Sequence, residues 1–205
     1  RQEVIRRWFR YRCEYALGGA DKRTLDRVRI LMDNLNLKEE DRAVVEPARL
    51  AAHRAEETHG QGNEGFFCGA ALQLPDGRMA VGMNSSQMHA AASCIVNALK
   101  ALAHLPDELP LIAPAVLDSV AGLKRTLALK STQASLDVEE SLIALSVSAA
   151  SNPAASLALG HLENLYGCEM HMSHLPAPGD AAGLRKLGVN VTSDPCFASR
   201  DLCME

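Results

Sequence analysis

Aromatic side chains are scarce in this sequence: one Trp, three Tyr and four Phe in 205 residues. Half of them (Trp8, Phe9, Tyr11 and Tyr15) fall within the first fifteen positions, so the rest of the chain must build its core from aliphatic and small residues. Long apolar runs are missing too. The most apolar stretch, Leu142 to Ala150, is far shorter than the roughly 20 residues a bilayer crossing needs, so no membrane partner is expected. Positive charge is not in excess: 21 Lys and Arg against 25 Asp and Glu give −4, without the basic footprint of a nucleic-acid binder. The six cysteines (Cys13, Cys68, Cys94, Cys168, Cys196, Cys203) lack paired spacing. Cys68 and Cys94 lie in apolar runs, where a free thiol packs as a small hydrophobe, and a reduced, cytoplasmic chain is expected. The sequons at Asn84 and Asn190 then carry no meaning. The opening Arg1-Gln2-Glu3 has neither an initiator Met nor a secretory leader and reads as mid-helix, which predicts a fragment or a processed chain.

Two well-known motifs are also absent, the phosphate loop and the His-Glu-x-x-His zinc helix. Gly60 to Gly65 does spell the dinucleotide fingerprint, but that motif needs a strand before it and a helix after it. Here the order is reversed, and the segment reads as a linker.

What is present divides the chain into a helical segment, 1–62, and an α/β domain, 63–205. In the first, Val4, Ile5, Trp8, Tyr11 and Tyr15 recur at helical spacing; Gly18-Gly19 ends that helix and Asp21 caps the next. A third helix is expected from about Glu40 to Glu57. The aromatic first helix either fills a small helical core or faces a missing partner segment. After Gly65 the period changes to that of a hairpin, 66–74 and 78–84 around Pro75-Asp76-Gly77. A buried helix follows over 89–104, then a short apolar run, Leu111-Ile112-Ala113, expected as a strand. Further helices come next, one with capping-box spacing at Asp137 and Glu140 and one starting at Pro153. The chain closes with a strand over 168–175, a helix over 180–187 and a strand over 189–192. This pattern predicts an α/β fold (α+β overall), a mixed sheet covered by helices.

The segment 167–191 carries the most chemistry. Residues two apart in a strand share a face, so Glu169 and His171 point the same way, and His174 lies near the strand's end. A Glu with two His suits acid–base work, a divalent metal, or a polar strand end with no further role. Pro178-Gly179-Asp180 then starts a helix, where free N–H groups favour an anion or Asp180 serves as the cap. A similar strand-to-helix step occurs from Asn84 to His89, where His89 either lines a site or caps its helix. If the two strands are parallel neighbours, Asn84, His89, His171 and His174 line one cleft beyond their carboxyl ends.

Gly-Cys-Glu-Met-His at 167–171, the long run from Pro176 to Asn190, and Thr-Ser-Asp at 192–194 resemble the C-terminal half of a bacterial family. It is called domain of unknown function 1846, also uncharacterised protein family 0371. Ile5-Arg6-Arg7-Trp8-Phe9-Arg10 and Gly69-Ala70-Ala71 extend the resemblance along the chain. It implies a longer protein, whose N-terminal half carries a Gly-rich, phosphate-loop-like segment. The hairpin and buried helix are similar to the cytidine-deaminase-like fold. Zinc deaminases need His-Ala-Glu and Pro-Cys-x-x-Cys; here Ala91 replaces the Glu and Ser199 the second Cys, so no zinc site is expected.

The leading expectation is an enzyme subunit that binds a small polar or phosphorylated, nucleotide-like ligand. His171, His174 and Glu169 would perform catalysis, and Asn84, His89, Gly179 and Asp180 would bind the ligand. The alternatives are a non-catalytic module that docks the N-terminal half of the same protein or assembles oligomers, and a metal-dependent hydrolase. A homo-oligomer is expected. The residues name no cofactor.

Overall fold

The computed structural model describes residues 1–127 and 134–198; Ser199 and Cys203 lie outside the described residues. Among the described residues are eight α-helices and a four-stranded mixed sheet, the α+β class that the alternating periods predict. Helix α1 (Gln2–Ala16) packs on α2 (Lys22–Asn34), whose first turn is capped by Asp21, its side chain accepting the Thr24 N–H at 2.7 Å. Their shared core is small: Ile5, Phe9, Met32, Leu37 and Val45.

The third helix does not start where helical spacing places it. A single 3₁₀ turn, Glu39–Asp41, is followed by Arg42 in an extended conformation, φ −97° and ψ 105°, and α3 begins only at Val45 and runs to Glu57. The break has a physical cause. Arg42 is 1% exposed, and its side chain leaves the helical path to enter the sheet.

Strands β1 (Gly69–Gln73) and β2 (Met79–Met83) form the expected hairpin, with Gly77 supplying φ +86° at the turn. The sheet order is β2-β1-β3-β4, where β3 is Glu169–Met172 and β4 is Asn190–Ser193. β1 runs antiparallel to both neighbours, and β3 and β4 are parallel. Thus β2 and β3 point the same way but are separated by β1, so the condition that they be neighbours is not met; their carboxyl ends still share one edge of the sheet. The expected strand at Leu111-Ile112-Ala113 is absent. Leu111 and Ile112 are buried, but Pro110 and Pro114 flank the run, and the Ala113 N–H donates to Ser148 Oγ at 3.0 Å.

Helices cover both faces. On one face lies α3; on the other, α4 (Ala90–Leu102), backed by α6 (Val138–Ala149), α7 (Pro153–Leu159) and α8 (Pro178–Lys186). Helix α5 (Pro114–Leu127) packs on α6. Pleating alternates side chains between the faces. Ala70, Leu72, Met170 and Met172 share the α4 side and its core, while Glu169, His171 and Thr192 face α3 and α1. Both helices approach the sheet at glycine. A Cβ on Gly69 would lie 2.2 Å from the Ala48 carbonyl oxygen, and one on Gly82 would lie 2.2 Å from the Cys94 nitrogen. The neighbours at Gly82 are helix backbone and cannot rotate away. Gly82→Ala should therefore destabilise the protein by about 3 kcal/mol, read as a lower urea midpoint with an unchanged slope.

Candidate functional site

At the edge where β2 and β3 end, a cavity of about 50 Å³ is lined by residues including Asn84, Ser85, His89, Ser135, His174 and Asp180. That is room for a few waters or one small functional group. His89 stands at the N-cap of α4 without capping it; its Nδ1 lies 2.7 Å from Asp180 Oδ2. Asp180 is 1% exposed and is held from its other oxygen, which accepts the Val138 N–H at 3.0 Å. Burial opposes charge on His89, but the hydrogen bond and the charge of Asp180 outweigh it and raise its pKa above the ordinary value. His89 Nε2 has no hydrogen-bond partner among the described residues.

His174 is nearly sealed, and its Nδ1 has no hydrogen-bond partner among the described residues. Burial drives its pKa down to about 4, so the ring is neutral at physiological pH. Cys68 also lines the cavity, but burial pushes its thiol up to about 12, which leaves it protonated and a poor nucleophile. Asn84 touches the cavity while its amide stitches the entry to β1: Oδ1 accepts the Cys68 N–H at 2.7 Å, and Nδ2 donates to the Phe66 carbonyl at 3.0 Å. Gly179 is not among the lining residues. It sits where the Asp137 carboxylate presses on α8, so close that a Cβ would fall 1.9 Å from Asp137 Oδ2.

His171 and Glu169 do share a face of β3, but it is the opposite face of the sheet from α4. The structure therefore divides the expected cleft: Asn84, His89, His174 and Asp180 meet, and His171 and Glu169 do not join them. Strand alternation alone causes the division. His171 is fully buried against Phe9, ring centroids 4.7 Å apart, with Nδ1 2.8 Å from Thr192 Oγ1. Its Nε2 is 3.5 Å from Asp194 Oδ2 and makes no hydrogen bond among the described residues. Around it lies an ionic network. Arg42 donates to Thr192 Oγ1 (2.9 Å), to the Met170 and Asn190 carbonyls (3.0 and 2.8 Å) and to Glu169, which also accepts from Arg6 at 2.7 Å. Arg49 holds Asp194 with two hydrogen bonds, at 2.9 and 2.7 Å. Burial works against charge on Asp194, but Arg49 and His171 together keep its carboxyl well below the usual range.

Residues 40–203 match the family model described as domain of unknown function DUF1846, C-terminal. The chain belongs to this family. Among its relatives, the UPF0371 protein of Clostridium tetani (strain Massachusetts / E88) is 43% identical over 202 residues, 98% of this chain and 39% of its own length. The UPF0371 protein FN1121 of Fusobacterium nucleatum is 41% identical over 203 residues, 98% of this chain and 40% of its own. The chain thus spans about two-fifths of the length of the curated relatives it matches.

Within this DUF1846 domain, sequence reading passed over Arg42, Arg49 and Asp194. A lone Arg between two helical stretches carries no local signal of burial; only the extended backbone at Arg42 marks it. Among the described residues no three His, Cys, Asp or Glu side chains are grouped as a metal ion would require, and no helix is long and apolar enough to cross a membrane.

Removing the Arg42 charge leaves Glu169 short of its buried partner, so Arg42→Met should cost about 3–5 kcal/mol in chemical denaturation. Adding Glu169→Gln should recover part of that loss. His174 is neutral in the folded state down to about pH 4, whereas the unfolded chain takes up its proton near pH 6.5. Between those values the unfolded state binds more protons, so stability falls as pH falls. From about pH 7.5 to about pH 5, wild type should lose roughly 2 kcal/mol more than His174→Phe.

Proposed function

We propose that this domain provides a pocket for a small polar ligand, with His89 as its proton-transfer group. Asp180 orients His89, and His174 forms a neutral wall. The observation that carries this reading is the His89 Nδ1 contact with Asp180 at 2.7 Å, in a ring whose Nε2 is unpartnered at a cavity wall. A carboxylate at Nδ1 fixes the tautomer, so the neutral ring presents a lone pair at Nε2. It also raises basicity, bringing the group close to the pH at which a general base works best. Asp180 is itself fixed by the Val138 N–H, so the pair has little freedom to rotate.

The lining favours a particular kind of group. Besides His89 and His174, the cavity offers the hydroxyls of Ser85 and Ser135. Its floor carries the Asp180 carboxylate, the dominant charge acting on His89, while Lys124 and Asp137 act on it more weakly and in opposite senses. That field disfavours a phosphate inside and favours a hydroxyl, a water or an amine N–H that gives its proton to His89. A phosphorylated ligand would keep its phosphate at the mouth. Under this reading His171 and Glu169 support the sheet and take no part in the chemistry. The alternative of a non-catalytic docking module is favoured by a separate feature, the groove along β4.

The test is a histidine NMR titration with ligand screening. In wild type the His89 pKa should lie above 6.5, and in Asp180→Asn it should fall. Nucleosides and sugar phosphates that raise the melting temperature of wild type should lose that effect in His89→Gln. An unchanged His89 pKa in Asp180→Asn, or ligand effects indifferent to His89, would discard the pocket as the site.

A further inference from the structure

β4 is an edge strand, and beside it lies a concave surface larger than the His89 cavity. A groove of about 970 Å³ runs between α1 and α8 over β4, lined among others by Arg7, Arg10, Tyr11, Arg185, Val191 and Phe197. Parallel pairing uses alternate residues of a strand. The N–H groups of Asn190 and Asp194 bond to the Cys168 and Met172 carbonyls of the β3 side. Those of Val191 and Ser193 therefore point away from β3, and among the described residues no strand lies beyond them. Exposed edges of this kind are covered, bent or charged in stable proteins, because a free edge pairs with whatever strand is offered. Here α1 covers the end of β4, where Ser193 is buried and its carbonyl accepts from the Cys13 thiol at 3.2 Å, and the accessible part of the edge is at Val191.

The groove's charge indicates what it receives. Arg6, Arg7, Arg10 and Arg185 line it against Glu3 and Glu14, a surplus of two positive charges. Arg7 and Arg10 are more than half exposed and pair only with those two glutamates of their own helix, pairs that contribute little in water. Arg185 is exposed and has no ion-pair partner among the described residues. Apolar side chains also line it, Tyr11 from α1, Leu17 just past the end of that helix and Val191 from β4. An extended segment with an apolar face and flanking carboxylates matches this surface, adding backbone hydrogen bonds to the edge of β4.

We propose that the α1–α8 groove and the β4 edge dock a strand from the remaining portion of the full-length family protein. The chain covers only 39–40% of the relatives' length, so most of such a protein must pack against this domain or be tethered to it. The groove combines this size with an accessible, unpaired backbone donor at Val191 and a charge surplus.

Hydrogen exchange on the 205-residue chain and on the full-length protein that carries it provides the test. Protection of the Val191 amide should be roughly tenfold greater in the full-length protein. The exposed substitutions Arg10→Glu and Arg185→Glu, made together there, should return it to the fast rate while amides of β1 stay protected. Equal Val191 exchange in the two proteins overturns the proposal. So does protection that appears in the 205-residue chain alone as concentration rises and a dimer forms, since the occupant is then a second copy.

Discussion

Everything on the α1 side of the sheet is arranged around one buried cation, the guanidinium of Arg42. Such a group is tolerated only where nearly all its donors are met, because the cost of removing it from water is several kcal/mol. Arg42 meets that condition through the Met170 and Asn190 carbonyls, Thr192 Oγ1 and Glu169. Those acceptors belong to two adjacent strands. The cation therefore clamps β3 to β4, the shortest strands of the sheet at four residues each, which have little ladder of their own. Burial pulls the Arg42 pKa down and the Glu169 charge opposes it, so the pair is held as a unit. Arg6 reaches the same Glu169, which ties α1 to the clamp. The broken third helix is the local consequence of placing this side chain where it is.

The other face follows a different logic. Its helix α4 buries nine of thirteen residues, four of them alanine, and it rests on Gly82. Small side chains allow the close approach, and burial of Leu72, Met170 and Met172 beneath it supplies the hydrophobic stabilisation that a chain poor in aromatics must find elsewhere. Lys100 is compatible with this helix because its ammonium reaches out to the Asp107 carbonyl at 2.7 Å.

These differences explain what could be read from the sequence. Local rules sufficed for the Asp76-Gly77 hairpin, the Asp21 cap, the Asp137–Glu140 capping box and the burial of α4, because each depends on neighbours within a few positions. Leu111-Ile112-Ala113 failed as a strand because composition alone does not register the two flanking prolines as lost ladder donors. The site was half legible. Alternation correctly pairs Glu169 with His171, but it cannot tell which helix each face of β3 meets. The contacts that decide this, Arg42 with Glu169 and His89 with Asp180, join residues 127 and 91 positions apart.

The two faces are nevertheless linked through β3 itself. Its residues alternate between the ionic network and the α4 core, so a shift of one position would put Met170 among charges and Glu169 in the apolar layer. The clamp at Arg42 and the Phe9–His171 contact forbid that shift. With the register fixed, Ser173 continues the pairing, its N–H donating to the Gly69 carbonyl at 2.9 Å, and His174 is the next residue, carried past the sheet edge into the cavity with His89. The network that takes no part in lining the pocket thus determines which residue closes it.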